Sequence, residues 1–278
     1  MTFLGFSGGL PFLLVFSTLT AWLTEGNVSR STIGFFAWIG ITYSTKVLWA
    51  PVVDSIPIPL LTKTLGLRRS WMLIGQIGIA CGLVLMSLIG PSDLFILSCC
   101  AFLVAFSSAT QDVAIDAFRI ESAEPEYQGG MSAAYVFGYR LALLVAGAGA
   151  LYLAEYFSWT IAYIIMATLM IVGMVTVILV AEPDRQSESF PLEFSVIGLR
   201  LWFTRAVAGP FVDFFSRNGK IAFIILLFIA VFRLSDIAMG IMANPFYLDM
   251  GYSKIEIANV AKVFGFFMSI AGSLICGV

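Results

Sequence analysis

Eight apolar stretches, near residues 2–24, 32–53, 71–90, 94–118, 131–154, 159–181, 220–243 and 254–278, leave this chain little choice of fold. A helix needs about 20 mostly apolar residues to cross a bilayer, and each stretch reaches that length. Only 12% of the residues are charged and 60% are hydrophobic, whereas soluble domains carry roughly 25% charged residues. A soluble helical protein of this composition would expose far too much apolar surface. The expectation is an all-α, polytopic membrane protein in contact with lipids.

Several function classes drop out on composition. The formal net charge is −2, with no basic stripe and no nucleic-acid motif, so no nucleic-acid partner is expected. The first run has span length and no short apolar core ahead of a small-residue cleavage site, which argues against a signal peptide. Cys81, Cys99, Cys100 and Cys276 all fall inside apolar runs and lack CxxC spacing, so neither zinc nor a disulfide framework is implied. Histidine is absent. That removes His-ligated metals and His proton relays and leaves carboxylates as the proton carriers. No HExxH, GxSxG or metal cluster is present, so an intramembrane enzyme is not expected, and neither is a cofactor or a metal. A channel or receptor is the other non-carrier class, and conductance far above carrier rates would mark a channel.

Basic residues set orientation. Lys63, Arg68 and Arg69 follow the second run, Arg119 the fourth, and Arg185, Arg200, Arg205, Arg217 and Lys220 the sixth. Against these nine, the alternate connections hold only Arg30 and Lys254. The basic set is therefore expected in the cytoplasm together with the N-terminus. The connections are short except 182–219, which opens with "EPDRQSE" and then spaces Phe190, Phe194, Ile197 and Leu201 as an amphipathic helix on the inner membrane face. The expected domains are a six-helix bundle over 1–181, a cytoplasmic link over 182–219, and the first two helices of a second bundle over 220–278. Six spans, a long link and further spans are the layout of the major facilitator transporters, whose halves are related by an axis along the membrane normal. The chain starts and stops inside apolar runs, so it reads as a fragment with about eight of twelve spans.

Charge inside the spans points to function. A charge at the centre of a span costs about 2.5–3.5 kcal/mol on insertion scales, yet Lys46, Asp112, Asp116, Arg140, Arg233, Asp236 and Lys262 all lie within runs, with Arg119 at a boundary. Asp112, Asp116 and Arg119 have the spacing of one helix face. Arg233 and Asp236 also share a face, as an internal ion pair or as part of a substrate site or gate. Lys46 is placed either to snorkel to the surface or to face a cavity. The deep groups leave a cationic surplus, which suits carboxylates or phosphates on a solute. Gly5, Gly8, Gly9 and Pro11 crowd the first run, and Gly240 and Pro245 mark the seventh. They fit either interrupted helices at a substrate site or close packing at small residues.

The stretches "GFSGGLPFLLVFSTLTAWL" (5–23), "STIGFFAWIGITYSTKVLWAPVVD" (31–54), "SSATQDVAIDAF" (107–118), "GYRLALLVAG" (138–147) and "FRLSDIAMGIMANPFYLDMGYSKIEIANVAKVFG" (232–265) resemble the AmpG-type muropeptide permeases. That family is a branch of the major facilitator superfamily that also holds acetyl-CoA transporters. The resemblance implies a bacterial inner-membrane symporter, a monomer, that uses protons to import anhydro-muropeptides, which are anionic through their peptide carboxylates. The runner-up solute is acetyl-CoA or another anionic sugar or peptide conjugate. By position, Lys46, Gln111, Asp112, Asp116, Tyr139, Arg140, Asp236 and Lys262 match polar positions of the family. The expected roles are proton coupling for Asp112 and Asp236, and substrate binding for Lys46, Gln111, Tyr139, Arg140 and Lys262. Asp116 and Arg119, meeting Arg68 and Arg69, would form an inner gate. Asp112 is the first choice for coupling, with a purely structural pairing to Lys46 or Arg140 as its alternative.

Overall fold

Helix starts in this chain are written in local sequence, and the computed structural model shows how. It describes residues 1–183, 209–219, 221–265 and 267–268, without the side chains of 209–211, 233–241 and 262. Asp93 accepts from the Phe95 and Ile96 amides, both at 3.1 Å, Ser158 accepts from Ile161 at 3.2 Å, and Ser253 closes a capping box with Glu256. Each satisfies amides that a helix start leaves open. Among the described residues every regular element is helical.

The elements are α1 (Thr2–Val15), α2 (Ser17–Glu25), α3 (Arg30–Phe36), α4 (Ile41–Thr45), α5 (Ala50–Ser55), α6 (Leu61–Leu65), α7 (Leu67–Ile89), α8 (Leu94–Glu121), α9 (Gln128–Leu144), α10 (Ala150–Tyr156), α11 (Trp159–Leu179), α12 (Gly209–Asn218), α13 (Ile221–Asp249) and α14 (Lys254–Ile257). Among the described residues, five helical stretches are long and apolar enough to cross a membrane: Thr2–Glu25, Leu67–Ser92, Leu94–Glu121, Pro125–Tyr156 and Trp159–Leu179. The first spans a kink at Phe16, where ψ falls to −105°. The chain is a multi-pass helical membrane protein, and its outward faces carry exposed Phe95, Phe102, Ile171, Val175 and Leu179 as lipid-facing surface.

The second apolar run, expected as one span, departs from that reading. Between Arg30 and Ser55 it is a broken column in which α3, α4 and α5 are joined by 3-10 turns at Ala37–Gly40 and Lys46–Leu48. Pro51, in the first turn of α5, has no N–H to offer the Val47 carbonyl. Thr45 Oγ1 turns back onto the Ile41 and Thr42 carbonyls at 3.0 and 3.4 Å. A run's apolarity therefore overstated its regularity. In the fifth span a π-helical segment, Val145–Gly149, separates α9 from α10, and Thr18 Oγ1 donates across to the Ala146 carbonyl at 2.9 Å. A second π-helical segment, Ala258–Phe264, continues α14 and packs against the first.

Small residues set the helix crossings. A Cβ on Gly9 would lie 2.6 Å from the Tyr139 carbonyl oxygen, and Gly5 and Gly138 meet the backbones of Tyr135 and Thr2 just as closely. Gly5, Gly9, Gly138 and Ala142 therefore let α1 and α9 touch backbone to backbone, the mode of association available where lipid offers no hydrophobic drive. Gly5 and Gly9 of the first run thus serve packing. Gly75 plays the same part between α7 and α8, with Gln111 Cβ 3.0 Å from its missing side chain. The main core forms where α1, α2, α7, α8, α10 and α11 meet, around Leu14, Trp22, Leu83, Val104, Tyr163 and Met166. The proposed amphipathic helix through Phe190, Phe194, Ile197 and Leu201 lies outside the described residues.

Candidate functional site

The break in the second span places Lys46. Its 3-10 turn brings Nζ to 3.7 Å from Asp112 Oδ2 on α8, and one turn along, Trp49 Nε1 donates to Thr110 Oγ1 at 3.1 Å. These contacts hold the broken column against α8. At 3.7 Å the Lys46–Asp112 contact is an ion pair too long to be a hydrogen bond, so it does not saturate the carboxylate. Asp112 Oδ1 is buried and has no hydrogen-bond partner among the described residues. The buried hydroxyls of Tyr43 and Ser108 are likewise unpartnered there. Lys46 is 34% and Asp112 18% exposed, so neither side chain is sealed inside the bundle.

Tyr135 joins this group, and sequence reasoning missed it. A Cβ on Gly8 would stand 2.9 Å from Tyr135 Oη and 3.5 Å from Asp112 Oδ1. The absent side chain at Gly8 therefore lets a phenol from α9 and a carboxylate from α8 occupy one space beside α1. Tyr139, half-buried, packs on Tyr135 with ring centroids 6.2 Å apart. The signal available in sequence was the pairing of Gly8 with Tyr135 and Tyr139 at i, i+4 spacing. Such a site offers one cation, one carboxylate with an open oxygen and several hydroxyl donors. It can hold an anionic group at Lys46 and exchange a proton at Asp112.

Other expected residues fall elsewhere. Gln111 was expected to face the solute, but its side chain is fully buried and donates to Ser7 Oγ at 2.9 Å. Gln76 of α7 donates to the same oxygen at 3.4 Å, so Ser7 ties α1 to both α7 and α8. Its neighbour Asp112, 100° around the helix, takes the accessible face. Arg140 is exposed on α9 and forms no ion pair among the described residues. The side chains of Arg233, Asp236 and Lys262 lie outside the described residues.

The cluster expected at the Arg68 end is assembled from different partners. Arg68, buried, places Nη1 2.5 Å from Asp54 Oδ1, Nη2 2.6 Å from Glu121 Oε1 and Nε 3.0 Å from Glu121 Oε2. Arg69 caps the end of α11 through the Val177 and Ile178 carbonyls at 2.7 and 2.6 Å. Glu182 receives the backbone amides of Arg68 and Arg69 at 2.7 and 3.2 Å, which places a carboxylate on the positive end of α7. Asp116 and Arg119 stay apart from them: they pair at 3.8 Å, and Arg119 Nη1 donates to Ser132 Oγ at 2.5 Å. The expected contact of Asp116 and Arg119 with Arg68 and Arg69 is therefore not made. Glu121, five residues further along at the end of α8, meets the Arg68 guanidinium fork with both of its oxygens. Asp54, Glu121 and Glu182 were missed because each sits just past an apolar run and reads as an ordinary connection residue.

The sequence model of the Major Facilitator Superfamily matches residues 1–278. A Rickettsia conorii protein named AmpG 4 is 37% identical over 278 residues, covering 99% of this chain and 65% of the relative. The Escherichia coli anhydromuropeptide permease is 34% identical, covering 99% of this chain and 53% of its own length. A Rickettsia prowazekii protein named AmpG 1 is 32% identical, covering 99% and 69%. The chain thus spans between about half and two-thirds of these relatives.

Proposed function

We propose a function from one premise: the chain belongs to the Major Facilitator Superfamily, in its AmpG-type branch. Proteins of this family are transporters rather than enzymes. The function is proton-coupled import of anhydro-muropeptides across a bacterial inner membrane, with the N-terminus and the Arg68 cluster on the cytoplasmic side. The single observation carrying it is the Lys46–Asp112 pair, loose at 3.7 Å, with the second carboxylate oxygen open. An anionic group of the solute competes with Asp112 for Lys46, and a proton taken up by Asp112 releases Lys46 to it. Charge thus stays balanced when proton and solute are loaded together, which is the requirement for coupling.

Tyr135 and Tyr139 supply hydroxyls to the sugar and amide groups of such a solute, and their rings supply faces for it. The Arg68 cluster and the Asp116–Arg119 pair are the inner-gate elements, with Asp54 and Glu121 added to the expected set. Asp236 for coupling and Lys262 for binding remain part of this proposal on the sequence alone. The test is uptake of labelled anhydro-muropeptide and of labelled acetyl-CoA into proteoliposomes under an imposed proton gradient. Uptake of the muropeptide alone, abolished in Asp112→Asn, supports the reading. Equal or better uptake of acetyl-CoA replaces the solute, and gradient-independent uptake removes the coupling.

A further inference from the structure

At the end of the molecule remote from Arg68, one lysine joins four elements. Lys254 opens α14, and its Nζ lies 3.0 Å from Glu25 Oε1 at the end of α2 and 3.3 Å from Glu155 Oε2 in α10. It also donates to the Ala154 carbonyl at 3.3 Å and stands 5.5 Å over the Trp159 ring at the start of α11. The ammonium donates to Glu25 Oε2 at 3.2 Å as well as to the Ala154 carbonyl, and Glu155 lies beside it as an ion-pair partner. The lysine side chain is only 12% exposed. Trp159 Nε1 donates to Glu25 Oε2 at 2.7 Å, the same oxygen that accepts from Lys254. One ammonium thus lies between two carboxylates.

The surrounding contacts join the same two parts of the chain. Arg30 pairs with Asp249. Buried Asn244 of α13 donates to the Ser17 carbonyl at 2.6 Å, at the kink of the first span. Tyr152 of α10 bonds to Asn259, where the two π-helical segments pack together. Residues 1–183 and 244–259 are thereby closed against each other at this end.

We propose that Lys254, with Glu25 and Glu155, is a latch that holds this end of the carrier shut, and that its release opens the path by which solute enters. The inference rests on reading the chain as an alternating-access carrier, but it does not depend on which solute is carried. The two carboxylates make the latch self-releasing, because without the lysine between them they repel. Arg30–Asp249 alone, exposed at the rim, does not replace it.

Reactivity of a buried cysteine in nanodiscs tests this with no solute and no proton gradient, so its outcome is separate from that of the transport assay. Ala258, fully buried beside the latch, becomes the reporter in Ala258→Cys, with Cys81, Cys99, Cys100 and Cys276 replaced by alanine. Lys254→Gln is expected to raise the maleimide labelling rate about 3- to 30-fold, the range open to two partly exposed ion pairs. Lys254→Glu combined with Glu25→Lys restores one ammonium between two carboxylates and is expected to return labelling towards the parent rate. An unchanged rate in Lys254→Gln, with full labelling after denaturation, overturns the latch. A raised rate that the reversal fails to restore assigns Lys254 to packing and also overturns it.

Discussion

Replacing Arg68 by methionine keeps an unbranched apolar stem and removes the guanidinium with its charge and its three hydrogen bonds to carboxylates. In the native protein the guanidinium is 6% exposed, its partner Glu121 is 12% exposed and Asp54 is 43% exposed. Breaking a buried ion pair by removing one partner costs about 3–5 kcal/mol. Asp54 is near half-exposed and regains water, so only the Glu121 side counts fully, and the expected loss is the lower figure, about 3 kcal/mol. At about 1.4 kcal/mol per factor of ten, the unfolding equilibrium shifts by roughly two orders of magnitude. Arg68→Lys retains the charge but cannot span both oxygens of Glu121 and also reach Asp54, so it falls between parent and methionine. Unfolding in mixed micelles with increasing dodecyl sulfate, followed by the reactivity of buried Cys100 with Cys81, Cys99 and Cys276 replaced by alanine, reads the loss. Arg68→Met within about 0.5 kcal/mol of the parent would place it among the small effects of ordinary surface substitutions and refute the reasoning. So would Arg68→Lys matching the methionine variant, because geometry would then contribute nothing.

Gly9→Val places branched carbons against the Tyr139 carbonyl, which is 2.6 Å from a bare Cβ. It is expected to separate α1 from α9 and abolish stable expression, while Gly129→Ala, with nothing within 4 Å, is silent in the same expression and size-exclusion assay. Lys46→Ala is expected to lower uptake at least tenfold through KM, and Lys46→Arg to retain part of it; equal loss in both would show that charge at position 46 is not what the solute meets. Gln111→Leu removes the Ser7 hydrogen bond and is expected to cost about 1–2 kcal/mol of stability in the micelle assay, with KM unchanged. A raised KM would return Gln111 to the binding face.

The fold class was legible because span-length apolar runs admit few structures, and the caps at Asp93, Ser158 and Ser253 mark their starts in sequence. The second run failed as a continuous helix because hydropathy counts side chains and ignores the backbone. Pro51 withholds an N–H and the Thr45 hydroxyl turns onto backbone carbonyls, while the run as a whole stays apolar. In the candidate site, Lys46 and Asp112 stand out in sequence because a charge in a span needs a reason, and the structure brings the two together. The burial of Gln111 against Ser7 was not legible, since an amide buries readily once another polar group meets it, and no single helix pattern shows Ser7 on the facing helix. Glu25, Glu155 and Lys254 looked like rim residues, and only tertiary packing brings them to one point. The same holds for Asp54 and Glu121 around Arg68.

The central claim is that an anionic muropeptide and a proton are loaded together at Lys46 and Asp112. Its most direct test is initial uptake of labelled anhydro-muropeptide into proteoliposomes, with and without an inward proton gradient, in the parent and in Asp112→Asn. The account predicts uphill accumulation in the parent only when the gradient is present, and gradient-independent equilibration in the variant. Full gradient-driven accumulation by Asp112→Asn would contradict it.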